Sequence, residues 1–171
     1  MSEIEVHVVG ESRWETIRQL RLQGLKTDPD AFGSTYDFES AQPQQFWLDR
    51  IRNPDAHQLL VTLDGQPVGL CVVFALQPQH WSHWRAGMGA IFGVWVHPSA
   101  RGQAVAAALM SGAIEHAKKV GLTSLVLEVG DENWPAIKLY ARVGFEPTGR
   151  TSRLEPPRAH ITEHERMLIL A

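Results

Sequence analysis

The stretch Val94-Trp95-Val96-His97-Pro98-Ser99-Ala100-Arg101-Gly102-Gln103-Ala104-Val105-Ala106 constrains the fold more than any other. An apolar run meets a proline turn, and beyond Arg101 the side chains nearly vanish. A chain in this order leaves a strand, turns, and enters a helix whose first turn is almost bare backbone. The first four N–H groups of a helix have no partner inside it. With the helix dipole they favour an anion by about 0.3–1 kcal/mol per charge at an exposed end. Small residues there suit close helix–sheet packing equally well. Either way the spacing predicts a strand over Ala86–Val96, a helix over Ala104–Val120 and Gly121 as its C′ residue. Ser124–Val129 follows as a short, continuous branched run, the pattern of a strand buried on both faces.

The rest of the chain supplies further strands and helices. Ile4–Val9 reads as a strand and Ser12–Leu25 as a helix, with Ser12 and Glu15 placed for a capping box. Residues 26–40 are rich in turn formers and read as a loop. Pro43–Asn53 carries Phe46, Trp47 and Ile51 at helical spacing. His57–Leu63 and Pro67–Leu76 flank Asp64-Gly65, a strong hairpin signal. Three glycines, Gly87, Gly89 and Gly93, interrupt the following strand and predict a bulge or a close backbone approach. Trp134–Val143 is a helix that Asn133 caps, with Pro135 in its first turn and Gly144 ending it. Strands at about Glu146–Leu154 and Glu165–Leu170 close the chain. The prediction is one α+β domain over residues 1–171: three layers, with a mixed, mostly antiparallel sheet of about six to seven strands and about four flanking helices.

Composition excludes several functions. The 171 residues carry a formal net charge of −3, so no global basic field invites nucleic acid. No run of about 18 apolar residues exists to cross a membrane. The lone Cys71, in the run GLCVVFAL, reads as a buried inert thiol in a reducing, cytoplasmic compartment. The first ten residues lack the pattern of a secretory signal. His80 and His83 are spaced as metal ligands can be, but no Cys or acid cluster accompanies them, so no metal is expected.

The segment Val94–Gly144 resembles the GNAT superfamily of N-acetyltransferases. There the pyrophosphate of acetyl-CoA rests on a loop of pattern Gln/Arg-x-x-Gly-x-Gly/Ala, which reads Arg101-Gly102-Gln103-Ala104-Val105-Ala106 here. LVLEVGDENWPAIKLYARVGFEPTG resembles the family's strand, Asn, helix, Tyr and Gly-Phe segment, and LRLQGLKTDPDAFGSTY the start of many members. The resemblance implies acetyl transfer from acetyl-CoA to a primary amine, on a small molecule or a peptide N-terminus, by direct attack in a ternary complex. It also implies a possible homodimer. The rival from another class is a non-catalytic acyl-CoA-binding module.

On that resemblance Val94, Trp95 and Val96 offer backbone groups to the pantetheine and the acetyl carbonyl. Arg101, Gly102, Gln103, Ala104, Val105, Ala106 and Ala107 hold the pyrophosphate, and Asn133 the pantetheine arm. Tyr140 matches the tyrosine that protonates the leaving sulfur. It stands seven residues, about two turns, after Asn133, on the same helix face. The strand position near Ala90, where many members carry a carboxylate, has no acid. Glu128 matches the glutamate that some protein N-terminal acetyltransferases of the family use as base, and deprotonation through water or binding of the neutral amine is an equal alternative. Ala104 stands where the family has glycine; ordinary helical angles there suit Ala. Phe32, Tyr36, Trp47 and Trp84 are the candidates to line an acceptor pocket, with Asp28, Asp30, Asp37 and Glu39 placed to attract a cationic amine.

Overall fold

A computed structural model describes residues 1–171. Seven strands build one sheet: β1 (Ile4–Val9), β2 (Ala56–Leu63), β3 (Gln66–Ala75), β4 (Met88–Val96), β5 (Ser124–Gly130), β6 (Glu146–Arg153) and β7 (Thr162–Ile169). Their order is β1-β2-β3-β4-β5-β7-β6. Only β4 and β5 run parallel, and they pair only through Met88–Ala90 against Ser124–Val126. Asp64 and Gly65 both take positive φ, 50° and 79°, as the turn of a tight hairpin requires.

Five helices cover the two faces: α1 (Trp14–Thr27), α2 (Tyr36–Ser40), α3 (Gln44–Arg52), α4 (Val105–Lys119) and α5 (Trp134–Val143). Strand side chains alternate between the faces. Leu60, Leu70 and Trp95 meet Ile17, Leu20, Leu25 and Trp47 of α1 and α3. Leu59, Val61, Cys71 and Val73 meet Leu109, Met110, Ala113 and Ala117 of α4, with Tyr140 and Phe145 beside them. Cys71 has no exposed surface, and burial pushes its thiol pKa up to about 12. This is the inert sulfur expected of an apolar run.

The predicted layers hold; five helices stand where about four were expected, and there are two local corrections. Residues 26–40 are not all loop: a 3-10 turn forms over Pro29–Ala31, and Thr35 caps the short α2 by accepting from the Phe38 N–H. The Ser12–Glu15 capping box is absent. Glu11–Arg13 form a 3-10 turn instead, and α1 starts at Trp14 with no side-chain cap. A 3-10 turn leading into an α-helix occupies the first N–H groups that a cap would have served.

Candidate functional site

Beyond Ala90 and Val126 the parallel strands separate. The cause is visible in the register of β3 and β4: Gly93 and Val94 together face the single residue Cys71. Gly93 takes φ +61°, and a Cβ there would stand 2.7 Å from Arg21 Nη1. As its place in the strand suggested, positive φ favours glycine in this bulge, and any side chain there would push against the end of Arg21. The bulge turns the end of β4 away from β5 and leaves its edge without a strand neighbour.

A cavity of about 450 Å³ fills the gap. Its walls are the β4 edge, the start of α4, Leu127–Gly130 of β5, and Asn133 and Tyr140 of α5. At its outer end the N–H groups of the six successive residues Gly102–Ala107 make no hydrogen bond within the chain. Gly102 at φ +76° and Ala104 at φ +64° fold them into a concave nest ahead of α4. Unpaired amides cost free energy away from water and are strong donors to an anion.

At the inner end, Tyr140 is 7% exposed. It lines the cavity, and its hydroxyl makes no hydrogen bond within the chain. Burial raises its pKa well above the usual tyrosine value, so it stays a neutral proton donor at any working pH. Asn133 accepts from the Ala136 N–H through Oδ1 at 3.4 Å, and its amide NH₂ makes no hydrogen bond within the chain. It both caps α5 and faces the cleft.

A second cavity, of about 460 Å³, opens on the other side of the bulge toward α1, α3 and β3. The two cavities share Ala31, Ile91, Gly93, Glu128 and Glu163. Glu128 on β5 sits opposite Glu165 on β7, and Glu163 lies two residues along the same face. Burial raises the Glu128 pKa; the Glu165 charge adds to this, and a hydrogen bond from Ser152 Oγ to Oε1 at 3.1 Å opposes it. Glu163 is raised by burial and then by Glu128. Two carboxylates that resist ionisation at the junction of two cavities are suited to proton transfer. Glu163 escaped the sequence reading because the last strand was expected to start only at about Glu165, whereas it runs over Thr162–Ile169.

Several predicted residues lie elsewhere. Trp47 is 1% exposed and packs in the core between α3 and the sheet; its helical spacing points it inward, so it lines no acceptor pocket. Trp84 folds back on its own loop, donating from Nε1 to the Leu76 carbonyl at 2.8 Å. Tyr36 opens the exposed side of α2 under the Lys26 ammonium, away from both cavities. Phe32 does line the second cavity. Gln103 turns its side chain to the Ser99 carbonyl. Trp95 buries its ring, so only its backbone faces the cleft.

Two of the acids are already engaged. Asp28 accepts from Trp95 Nε1 and from Arg101 Nη2, each at 2.8 Å, and Arg101 Nε bonds the Val96 carbonyl. Arg101 therefore ties the end of β4 to Asp28. Glu39 is buried between Arg21 and Arg50, so neither it nor Asp28 is free to draw in an amine.

The model of the acetyltransferase (GNAT) family matches residues 17–145. The chain belongs to the GNAT family. It is 30% identical over 151 residues to the L-amino acid N-acetyltransferase of Escherichia coli, covering 87% of this chain and 86% of that one. It is 27% identical over 137 residues to a putative bS18-alanine N-acetyltransferase of Bacillus subtilis, covering 78% and 82%. A putative acetyltransferase from Salmonella typhimurium, solved with acetyl-CoA, shares the fold at a TM-score of 0.76 and 16% identity, covering 98% of this chain and 94% of its own.

This GNAT chain departs from the expectation at Ala104. That residue does not take ordinary helical angles: φ 64°, ψ 12° is left-handed. An L-residue there costs roughly 1–2 kcal/mol, while glycine would add about 0.4–1 kcal/mol of unfolded-chain entropy. Ala104→Gly should therefore stabilise the protein by about 0.5–1 kcal/mol. Differential scanning calorimetry should show this as a Tm higher by about 1–4 °C. An unchanged or lower Tm would mean that the nest carries no strain.

Proposed function

We propose that the protein transfers an acetyl group from acetyl-CoA to a primary amine by direct attack in a ternary complex. The observation that carries this reading is the junction of two cavities at Gly93, Glu128 and Glu163. One cavity offers a run of unpaired amides to an anion; the other is open to an acceptor. Acetyl-CoA brings an activated thioester to the cleft. The six N–H groups of Gly102–Ala107 fit its pyrophosphate: they are donors without acceptors at a helix start. Asn133 and the free edge of Val94–Val96 face the span that a pantetheine arm crosses. Backbone N–H groups on that edge stabilise negative charge developing on the acetyl oxygen.

The amine must lose its proton before it attacks, and Glu128, aided by Glu163, accepts it. Tyr140 gives a proton to the departing sulfur. This division of labour places the proton acceptor on the acceptor side and the donor on the thioester side. The related proteins are named for acetylating an L-amino acid and a ribosomal-protein alanine, both of which offer a primary amine.

The test is release of the CoA thiol from acetyl-CoA by the purified protein, across a panel of amino acids, polyamines and short peptides. Acceptor-dependent release is expected. Acetyl-CoA binding without release on any acceptor would replace this reading with that of a non-catalytic acyl-CoA-binding module.

A further inference from the structure

The floor of the second cavity holds more positive charge than it neutralises. Arg21 donates to the Glu39 carboxylate through Nε at 3.2 and 3.3 Å and through Nη2 at 2.9 Å. Arg50 reaches the same carboxylate through Nη1. Two guanidinium groups thus share one carboxylate, and one positive charge is left over. The Arg21 side chain is only 13% exposed, so water solvates that excess poorly. Arg21 Nη1 has no acceptor in the chain and lies beside Gly93, at the junction of the cavities. The Nε and Nη2 atoms of Arg50 also make no hydrogen bond within the chain.

A charge held in such surroundings is costly without a counter-ion. Arginine donors in a fixed fork match a carboxylate in shape as well as sign. Glu128 and Glu163, the proposed proton acceptors, line the same cavity. The cavity is therefore lined by a cationic pair and by a pair of carboxylates. A zwitterion with its amine and carboxylate on one carbon offers a partner of the right charge to each pair. A peptide N-terminus does not: it would press a neutral amide carbonyl against the arginines, and its chain would have to leave through them.

We propose that the acceptor is a free α-amino acid, its carboxylate held by the Arg21–Arg50 pair while its amine faces Glu128 and Glu163. This assignment rests on the acetyl-transfer reading and narrows it to one substrate class. Arg21 and Arg50 are then the residues that set acceptor specificity.

The experiment compares L-amino acids with their primary amides, their decarboxylated amines and dipeptides beginning with the same residue. CoA release gives kcat/KM at pH 8, and calorimetry gives binding of each compound in the presence of CoA. The amino acid should exceed its amide by about 10- to 100-fold, the range for charged hydrogen bonds. The amide's amine is the weaker base, so more of it is neutral at pH 8. Amine chemistry alone therefore favours the amide, and a preference for the acid must come from the pocket. In Arg50→Gln the ratio of acid to amide should fall toward one.

Amides or peptides used as well as the free acid would overturn the assignment while leaving acetyl transfer intact. Amino acids that bind tightly and are not acetylated would support the carboxylate site and refute acetyl transfer to this class. Amino acids that neither bind nor react, while other amines react, would also overturn the assignment. Because the substrate series uses the unaltered protein, it stands even where Arg50→Gln folds poorly.

Discussion

Tyr140→Phe should lower kcat for acetyl transfer about 10²- to 10⁴-fold, the usual worth of a positioned proton donor, and leave acetyl-CoA affinity nearly unchanged. Tyr140 is buried where it lines the first cavity, and its hydroxyl makes no hydrogen bond within the chain. Phenylalanine keeps the ring contacts with Phe145 and removes only the proton source. The loss should therefore appear in kcat, with the Tm shifting by less than about 1 °C. Steady-state kinetics beside acetyl-CoA titration calorimetry separate the two quantities. Equal losses of turnover and cofactor affinity would make Tyr140 a binding or packing residue.

Glu128→Gln should have the second largest effect. Glutamine keeps the shape and the Ser152 contact but cannot accept the amine's proton, so kcat/KM should fall about 10²-fold or more. The pH profile carries a sharper signature. The Glu128 pKa is raised, by burial first, so the active carboxylate appears only above the usual glutamate range. Wild-type activity should rise with pH through that elevated pKa, and Glu128→Gln should lose that limb.

Stability should run the other way. A carboxyl whose folded pKa is raised contributes stability below its unfolded pKa and loses it as pH rises through the folded one. Glu128→Gln should therefore melt higher than wild type at pH 8, and the gap should close toward pH 4. Higher stability with lower activity marks a group placed for chemistry rather than for folding. A variant that is less stable at pH 8, or that keeps the acidic limb, would assign the proton transfer elsewhere.

Most of the architecture was legible because local signals agreed with the fold. The Asp64-Gly65 turn, the Asn133 cap, the Gly144 stop and the apolar stripes each specify a conformation by themselves. Gly93 announced its bulge for the same reason. What stayed hidden depends on residues far apart in sequence. Arg21 and Arg50 carry no signal in the sequence, and Glu39 reads there as a loop acid placed to attract an amine; packing α1, α2 and α3 together makes the three one buried cluster. Glu163 gains meaning only from β7 pairing beside Glu128. Ala104 misled because alanine is the best helix former, whereas the neighbouring turn holds it in a conformation alanine disfavours. Trp47 was assigned to a pocket for its aromatic character, although its spacing on α3 already aimed it inward.

The decisive measurement is the initial rate of CoA release with acetyl-CoA and the preferred acceptor both varied. The proposed direct attack needs both substrates bound before transfer, so double-reciprocal plots should intersect. Parallel lines, with acetyl transferred to the protein in the absence of acceptor, would mean a covalent relay and would overturn direct attack across the Gly93 junction.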